Sequence, residues 1–360
     1  MDIDVRIKDI GAIKDTIRGL HVCLESSRVE LFRAQDVPLA YREEGIEGGY
    51  RRPPCSLPGA VLSAVTPLNN ETINFWTHFI PFWYFAYMLV YFASTGPVYE
   101  SHYYWPFLAY LVTVASWPLV SAVAHLLHVV SEAARHACFF TDYLSLSWYA
   151  FGVGLAYHAY CFDSIFFDTW YSSLFPYVSA ASCLGCTTLA CYTRLIPKER
   201  FWFRKVVRVL AFVVPYLVVN VPLVERVVHR YLTGDDAGDQ PAISLHLRQF
   251  LFIVLGMLVY SLHIPERLWP GQFDFLGHSH QLFHVFGVLC SYHQMWAIYL
   301  DLQNRRAQFA LGHWYPHRWA AFDLAMVLGV LAANWAIVFL FYREVKRRDE
   351  EARATASKSD

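Results

Sequence analysis

Charge is scarce in this chain: Asp, Glu, Lys and Arg make up 16% of its 360 residues, against 56% hydrophobic and 17% aromatic residues. The charges that exist sit in separate runs rather than at helical spacing, which excludes an ordinary soluble domain. A net field is lacking too, since the formal charge is −1, so nothing points to a nucleic-acid partner. The first thirty residues lack a continuous apolar core and carry Arg6, Lys8, Lys14, Arg18 and Arg28. They are therefore not expected to act as a signal peptide, and the first apolar run is expected to be its own insertion signal. A complete zinc knuckle is also missing. Cys183-x-x-Cys186 has no second pair at metal spacing, and it lies inside an apolar run, so it reads as small-residue packing between membrane helices.

What the chain does have is long hydrophobic runs. The hydrocarbon core, about 30 Å thick, takes roughly 20 apolar residues as a helix, because a helix satisfies its own backbone hydrogen bonds in lipid. Eight such runs lie near 72–94, 105–130, 143–162, 174–193, 206–224, 249–264, 281–300 and 319–342. The expected fold is an all-α, polytopic transmembrane bundle. With a cytoplasmic N-terminus, 23 of the 29 Lys and Arg residues fall on the inner side, as the positive-inside rule requires.

Residues 1–71 then form a cytoplasmic N-terminal region. Its opening stretch, Ile3 to Leu31, has weak helical periodicity, and Gly45, Gly48, Gly49, Pro53, Pro54 and Pro58 break any helix before the first span. Residues 72–300 are the seven-span core, 301–342 an outer loop and the eighth span, and 343–360 a cytoplasmic tail expected to be disordered. The sequon Asn70-Glu71-Thr72 faces the cytoplasm on this topology and is expected to be unmodified.

Ionisable groups inside a span cost about 2.5–3.5 kcal/mol each on insertion scales, so each is a candidate functional residue. Span 1 opens with Glu71, Asn74 and His78 on one helical face. Span 2 carries Ser121 and His125 four apart near its inner end, followed by His128. Span 3 begins with Asp142, and span 7 with His278, His280 and His284. On the assigned topology His125, Asp142, His280 and His284 lie at similar depth in the inner leaflet. Two imidazoles at i and i+4 plus a third from another helix make a three-nitrogen set with an open fourth position, for which zinc is the natural ion. Asp142, assisted by Ser121, would hold the water or orient a ligand. Glu71, Asn74 and His78 either brace helix 1 or touch a ligand. A hydrogen-bonded cluster without metal remains the plainer alternative. His158 and His263 are expected to bond between helices, His128 and His278 to neighbour the site, and His293 to be structural or pocket-lining.

Three blocks carry a resemblance. Residues Asn70 to His78, Ser121-x3-His125 followed by Asp142-Tyr143, and Gly277 to His284 resemble the signature blocks of the progestin and adipoQ receptor family. Gly48 to Pro53, Ile264 to Gly271 and Phe273-Asp274 resemble its membrane progestin receptor branch, particularly the gamma-like members, as does an eighth span. The resemblance implies a seven-helix core binding Zn2+ through His125, His280 and His284, with Asp142 and Ser121 at the water. It implies a plasma-membrane receptor for a steroid (progestin) or sphingolipid-type ligand that signals non-genomically, with a heterotrimeric G protein as the expected partner. The rival readings are a zinc-dependent intramembrane amide hydrolase of the ceramidase type, with Asp142 and Ser121 catalytic, and a zinc ion that only staples helices. The aromatics Trp76, Trp83, Tyr84, Phe85, Tyr87, Trp148 and Tyr149 are available to line an apolar pocket.

Overall fold

The computed structural model describes residues 30–95, 102–162, 169–197, 200–234, 240–310 and 319–356. Most of the stretch from Ile3 to Leu31 lies outside the described residues. Eight long helices follow one another: α1 (Thr72–Thr95), α2 (Trp105–Leu127), α3 (Glu132–Tyr160), α4 (Trp170–Tyr192), α5 (Phe201–Thr233), α6 (Gln240–Leu262), α7 (Ser279–Ala310) and α8 (Trp319–Ala356). Their starts are fixed by local chemistry. Asn69 Oδ1 accepts from Glu71 N at the entry to α1. Ser131 Oγ and Thr169 Oγ1 accept from Ala134 N and Ser172 N at α3 and α4, each satisfying an orphan donor of a first turn. Gly234, at φ 68°, ends α5 in the left-handed conformation that glycine adopts without penalty.

By length and composition, five helical stretches among the described residues can cross a membrane: His102–Leu127, Trp170–Tyr192, Trp202–Thr233, Gln240–Leu262 and Leu324–Glu351. The other three, α1, α3 and α7, carry many polar and aromatic residues, which lower their hydropathy without making them shorter. Helix α3 is the hub, packing against α2, α4, α5, α7 and α8. At Gly152 of α3 an added Cβ would stand 2.0 Å from Thr113 Oγ1 of α2, so glycine there lets the two helices approach closely. Aromatic residues fill the outer half of the bundle, with Phe85, Tyr103, Phe107, Tyr110, Tyr157 and Tyr160 among the buried core.

Several boundaries differ from the sequence expectation. Helix α3 begins at Glu132, well before its apolar run. The tail after 343 is not disordered as expected: α8 continues to Ala356. Pairs of Glu344 with Arg347 and Arg348, and of Arg347 with Glu351, at i,i+3 and i,i+4, support that helix in water.

The end of the bundle at which α1, α3 and α7 begin is closed by a packed layer. Strands β1 (Leu31–Phe32) and β2 (Tyr50–Arg51) pair antiparallel, and Glu47 N donates to Asp274 Oδ1 at 2.8 Å, which ties this layer to the turn before α7. Arg51 enters the bundle and donates to the carbonyls of His125 (2.7 Å) and Leu126 (2.9 Å). Those carbonyls are unsatisfied by α2 itself, and a cation there also faces the negative end of the helix.

Candidate functional site

The inner end of α2 and the first turns of α7 bring His125, His280 and His284 together. Their ring centroids stand 4.5 to 5.0 Å apart, and one nitrogen from each lies within 4.8 Å of the others. His125 Nε2 and His280 Nε2 are 3.2 Å apart. Two nitrogens on one tetrahedral zinc, at bonds near 2.05 Å, stand about 3.3 Å apart.

The second nitrogens fix the tautomers. His125 Nδ1 meets Glu71 Oε2 at 2.8 Å; a carboxylate only accepts, so Nδ1 carries the hydrogen and Nε2 presents a lone pair. Thr77 Oγ1 faces the carbonyls of Ile73 and Asn74 at 2.8 and 3.0 Å, which take its hydrogen. His284 Nδ1, 3.1 Å from that hydroxyl, therefore donates, and its Nε2 is also unprotonated. A buried cluster into which imidazole lone pairs converge, with His125 and His284 each oriented by an acceptor behind the ring, fits a divalent transition-metal ion such as zinc. His125, His280 and His284 would hold it.

Glu71 is the brace. It accepts from Asn74 Nδ2 at 2.7 Å as well as from His125, and lies 3.2 Å from His128 Nε2. Arg135 Nη1 lies 3.0 Å from His128 Nδ1. A guanidinium can only donate, so His128 must donate to Glu71 through Nε2. His78 stacks on His284, centroids 3.6 Å apart and planes at 16°, with the edge of Trp117 against it at 4.6 Å. Neither His78 nitrogen has a hydrogen-bond partner among the described residues. Asp142 of α3 lies within electrostatic reach of His125, with Ser121 nearby. His278 Nε2 is 3.3 Å from the Asn70 carbonyl, joining the entries to α1 and α7.

Glu266 holds the start of α7. It accepts from Ser279 N at 2.7 Å and from Ser279 Oγ. Burial by itself raises its pKa, but the bonds from His263, Ser279 and the backbone outweigh that and bring it to about 2. His263 lies in the N-terminal layer, near Glu44 and Glu266, and does not bridge spans as expected. His158 does bond between helices, with Ser172 Oγ of α4 at 3.3 Å. His293 bonds the Leu289 carbonyl of its own helix at 2.8 Å.

A second polar centre, in the outer half, was not foreseen from sequence. Asp301 of α7 accepts from Arg226 Nη2 of α5 at 2.7 Å and from His246 Nε2 of α6 at 2.9 Å. The Cys161 thiol lies 3.1 Å from the same carboxylate. Gln249 Nε2 stands 3.3 Å from His246 Nδ1, so that nitrogen accepts and Nε2 carries the hydrogen given to Asp301. Gln249 and Gln294 both donate to Tyr157 OH, at 2.6 and 2.9 Å, and Tyr149 OH donates to Gln294 Oε1. Asp301 lies 17 residues beyond His284 on α7, about 25 Å along the axis, so the two centres occupy opposite leaflets. Cys161, His246 and Asp301 have metal-like proximity, yet their hydrogens are engaged and Arg226 already balances the carboxylate, which makes this a charge-neutral polar core. Opposite charges at one outer depth, Arg226 and Asp301, were the available signal.

Residues 66–295 match the pattern of the haemolysin-III-related family. The chain is similar to membrane progestin receptor gamma-B of Danio rerio, 41% identical over 297 residues that cover 77% of this chain and 84% of that protein. It is 35% identical over 309 residues to membrane progestin receptor gamma of Homo sapiens, covering 86% and 92%. It is 36% identical over 313 residues to the human delta receptor, covering 87% and 90%. The chain belongs to this family of progestin and adipoQ receptors, within its membrane progestin receptor branch, and is a multi-pass membrane protein.

Proposed function

We propose, from that membership, that the chain is a plasma-membrane receptor for a steroid of the progestin class, built around a zinc ion held by His125, His280 and His284. The similarity to proteins named membrane progestin receptors over most of both chains supports the ligand class. The lone-pair-rich cluster, with His125 and His284 oriented by Glu71 and Thr77, is the single observation that supports the ion. A signal would leave from the cytoplasmic face, with a heterotrimeric G protein as the proposed partner. Labelled progesterone should bind membranes from cells expressing the chain and not control membranes; absence of binding at good expression rejects the ligand class. Guanine-nucleotide exchange that does not respond to progestin in those membranes rejects the G protein.

One observation favours a second reading, a zinc-dependent amide hydrolase acting on ceramide-type lipids: Asp142 lies within electrostatic reach of His125, with Ser121 nearby. When bound, zinc supplies Lewis-acid polarisation of a carbonyl and acidifies a water. Asp142 would take the proton from that water and pass it to the leaving nitrogen, while the Ser121 hydroxyl holds the carboxylate in place. Fatty-acid release from ceramide by purified protein, lost in Asp142→Ala with metal retained, would support this role. No release from well-folded wild type would reject it.

A further inference from the structure

The eighth helix carries one docking face. Val330, Asn334, Val338 and Val345 are buried on it, at spacings of four, four and seven that keep them on one side of a helix. In the membrane this face is keyed by a polar contact. Asn334 accepts from Thr187 Oγ1 of α4, its Nδ2 meets Cys183 Sγ at 3.2 Å, and Thr187 bonds Ser147 of α3 at 2.5 Å. These contacts fix the rotation of α8 against α3 and α4.

Continued four residues past Val345, the same face presents Asp349 beyond the membrane. There it meets the first turns of α3, where Glu132 and His136 are at i and i+4. One donor atom from each of Glu132, His136 and Asp349 lies within 4.8 Å of the others. The Nδ1 atom of His136 is buried and has no hydrogen-bond partner among the described residues. Two carboxylates and one imidazole supply the donor atoms, with Arg194 and Arg135 standing near His136. The nearest arginine on the helix, Arg135, is turned elsewhere, donating to the Ala40 carbonyl and to His128. Arg348 Nη1 reaches the Leu195 carbonyl in the turn after α4, a further tie between the α8 extension and the cytoplasmic face.

We propose that Glu132, His136 and Asp349 form a second metal site, for a divalent ion of the zinc class, that latches the cytoplasmic extension of α8 to the start of α3. The donors suit such an ion: an imidazole and two carboxylates satisfy zinc or manganese, whereas magnesium prefers oxygen ligands and water. Glu132 is exposed, so its side chain is free to close the last fraction of the gap. The latch is independent of the histidine cluster inside the membrane, and its ion reaches it from the cytoplasm.

The test uses the purified full-length chain in detergent, equilibrated with buffered zinc at micromolar activity, with zinc counted per chain. Wild type should hold one more equivalent than His136→Ala, Asp349→Asn and the exposed, fold-neutral Glu132→Gln. His280→Ala should keep that equivalent while losing the one in the membrane. Zinc should also slow tryptic cleavage at Arg343 to Arg348 in wild type and in His280→Ala, and not in Asp349→Asn. The latch is overturned by any of three results: no difference in zinc between wild type and the three latch variants, equal protection of Asp349→Asn, or equal protection of wild type by magnesium alone. Failure of the membrane zinc site would instead leave wild type with a single equivalent that His280→Ala retains and His136→Ala loses.

Discussion

Replacing Glu71 by glutamine isolates the brace behind the metal-site candidate. The carboxylate now receives three N–H groups, from Asn74 at 2.7 Å, His125 at 2.8 Å and His128 at 3.2 Å. An amide of the same shape has only one acceptor oxygen. If that oxygen stays with Asn74 and His125, the amide NH2 opposes the His128 Nε2 hydrogen; turned round, it opposes the other two. Either way one donor faces another, and the remaining bonds lose the charge assistance that makes them roughly twice as strong. Loss of a carboxylate behind a metal-ligating imidazole typically lowers metal affinity about 10- to 100-fold, or about 1.4–2.7 kcal/mol. Competition between purified protein and a zinc-sensitive chelating dye at neutral pH should report that weakening in Glu71→Gln. A dissociation constant within about two-fold of wild type, in protein that remains folded, would show that Glu71 does not orient a metal ligand.

Other consequences concern stability. Asp301→Ala strands the Arg226 guanidinium in the outer core and should cost about 3–5 kcal/mol, whereas replacing both residues by leucine should recover most of it; thermal unfolding in detergent compares them, and an unaltered Asp301→Ala curve refutes the ionic centre. Glu266 has a depressed pKa, about 2 against 4.5, so its stabilisation is complete above about pH 4.5 and is lost as pH falls towards 2. In chelator-treated protein, Glu266→Gln should therefore differ from wild type at pH 6 by about 2–3 kcal/mol and converge with it near pH 2; a constant difference across that window rejects the assignment. Asn334→Leu removes a polar key of about 1 kcal/mol between membrane helices and should speed alkylation of Cys183 by a lipid-soluble maleimide, and an unchanged rate would mean that α8 is held by apolar packing alone.

The eight spans were legible because each is a long apolar run, and the depth shared by His125, Asp142, His280 and His284 followed from charge asymmetry between loops. Which neighbours orient the imidazoles was not legible. Glu71, Asn74 and His78 share one helical face, and periodicity does not distinguish a brace from a ligand contact; the hydrogen bond from His125 to Glu71 does. Helix ends were read worst, for a physical reason. Hydropathy stops at the first charge, so Arg226 and Asp301 were assigned to outer loops, whereas α5 and α7 run on to Thr233 and Ala310. A charge paired inside a bundle looks, in one dimension, the same as a charge in water. The tail after 343 was misread for the same reason, since its charges form ion pairs along a continuing helix.

The two polar centres explain why α3 and α7 tolerate so many polar residues inside the membrane. In lipid, every unsatisfied donor or acceptor costs several kcal/mol, so polar side chains persist only where they close on one another. In the outer half Arg226, His246, Asp301, Gln249, Tyr157, Gln294 and Tyr149 pass hydrogen bonds from one to the next with consistent tautomers. In the inner half the lone pairs do not close in this way. His125 and His284 are held with their lone pairs facing inward, and no donor on the protein is assigned to them except what His280 can supply through one ring hydrogen. One hydrogen cannot serve two separate lone pairs well, whereas a single cation serves both. This contrast between the two centres is what favours the proposed ion at His125, His280 and His284 over a purely hydrogen-bonded cluster.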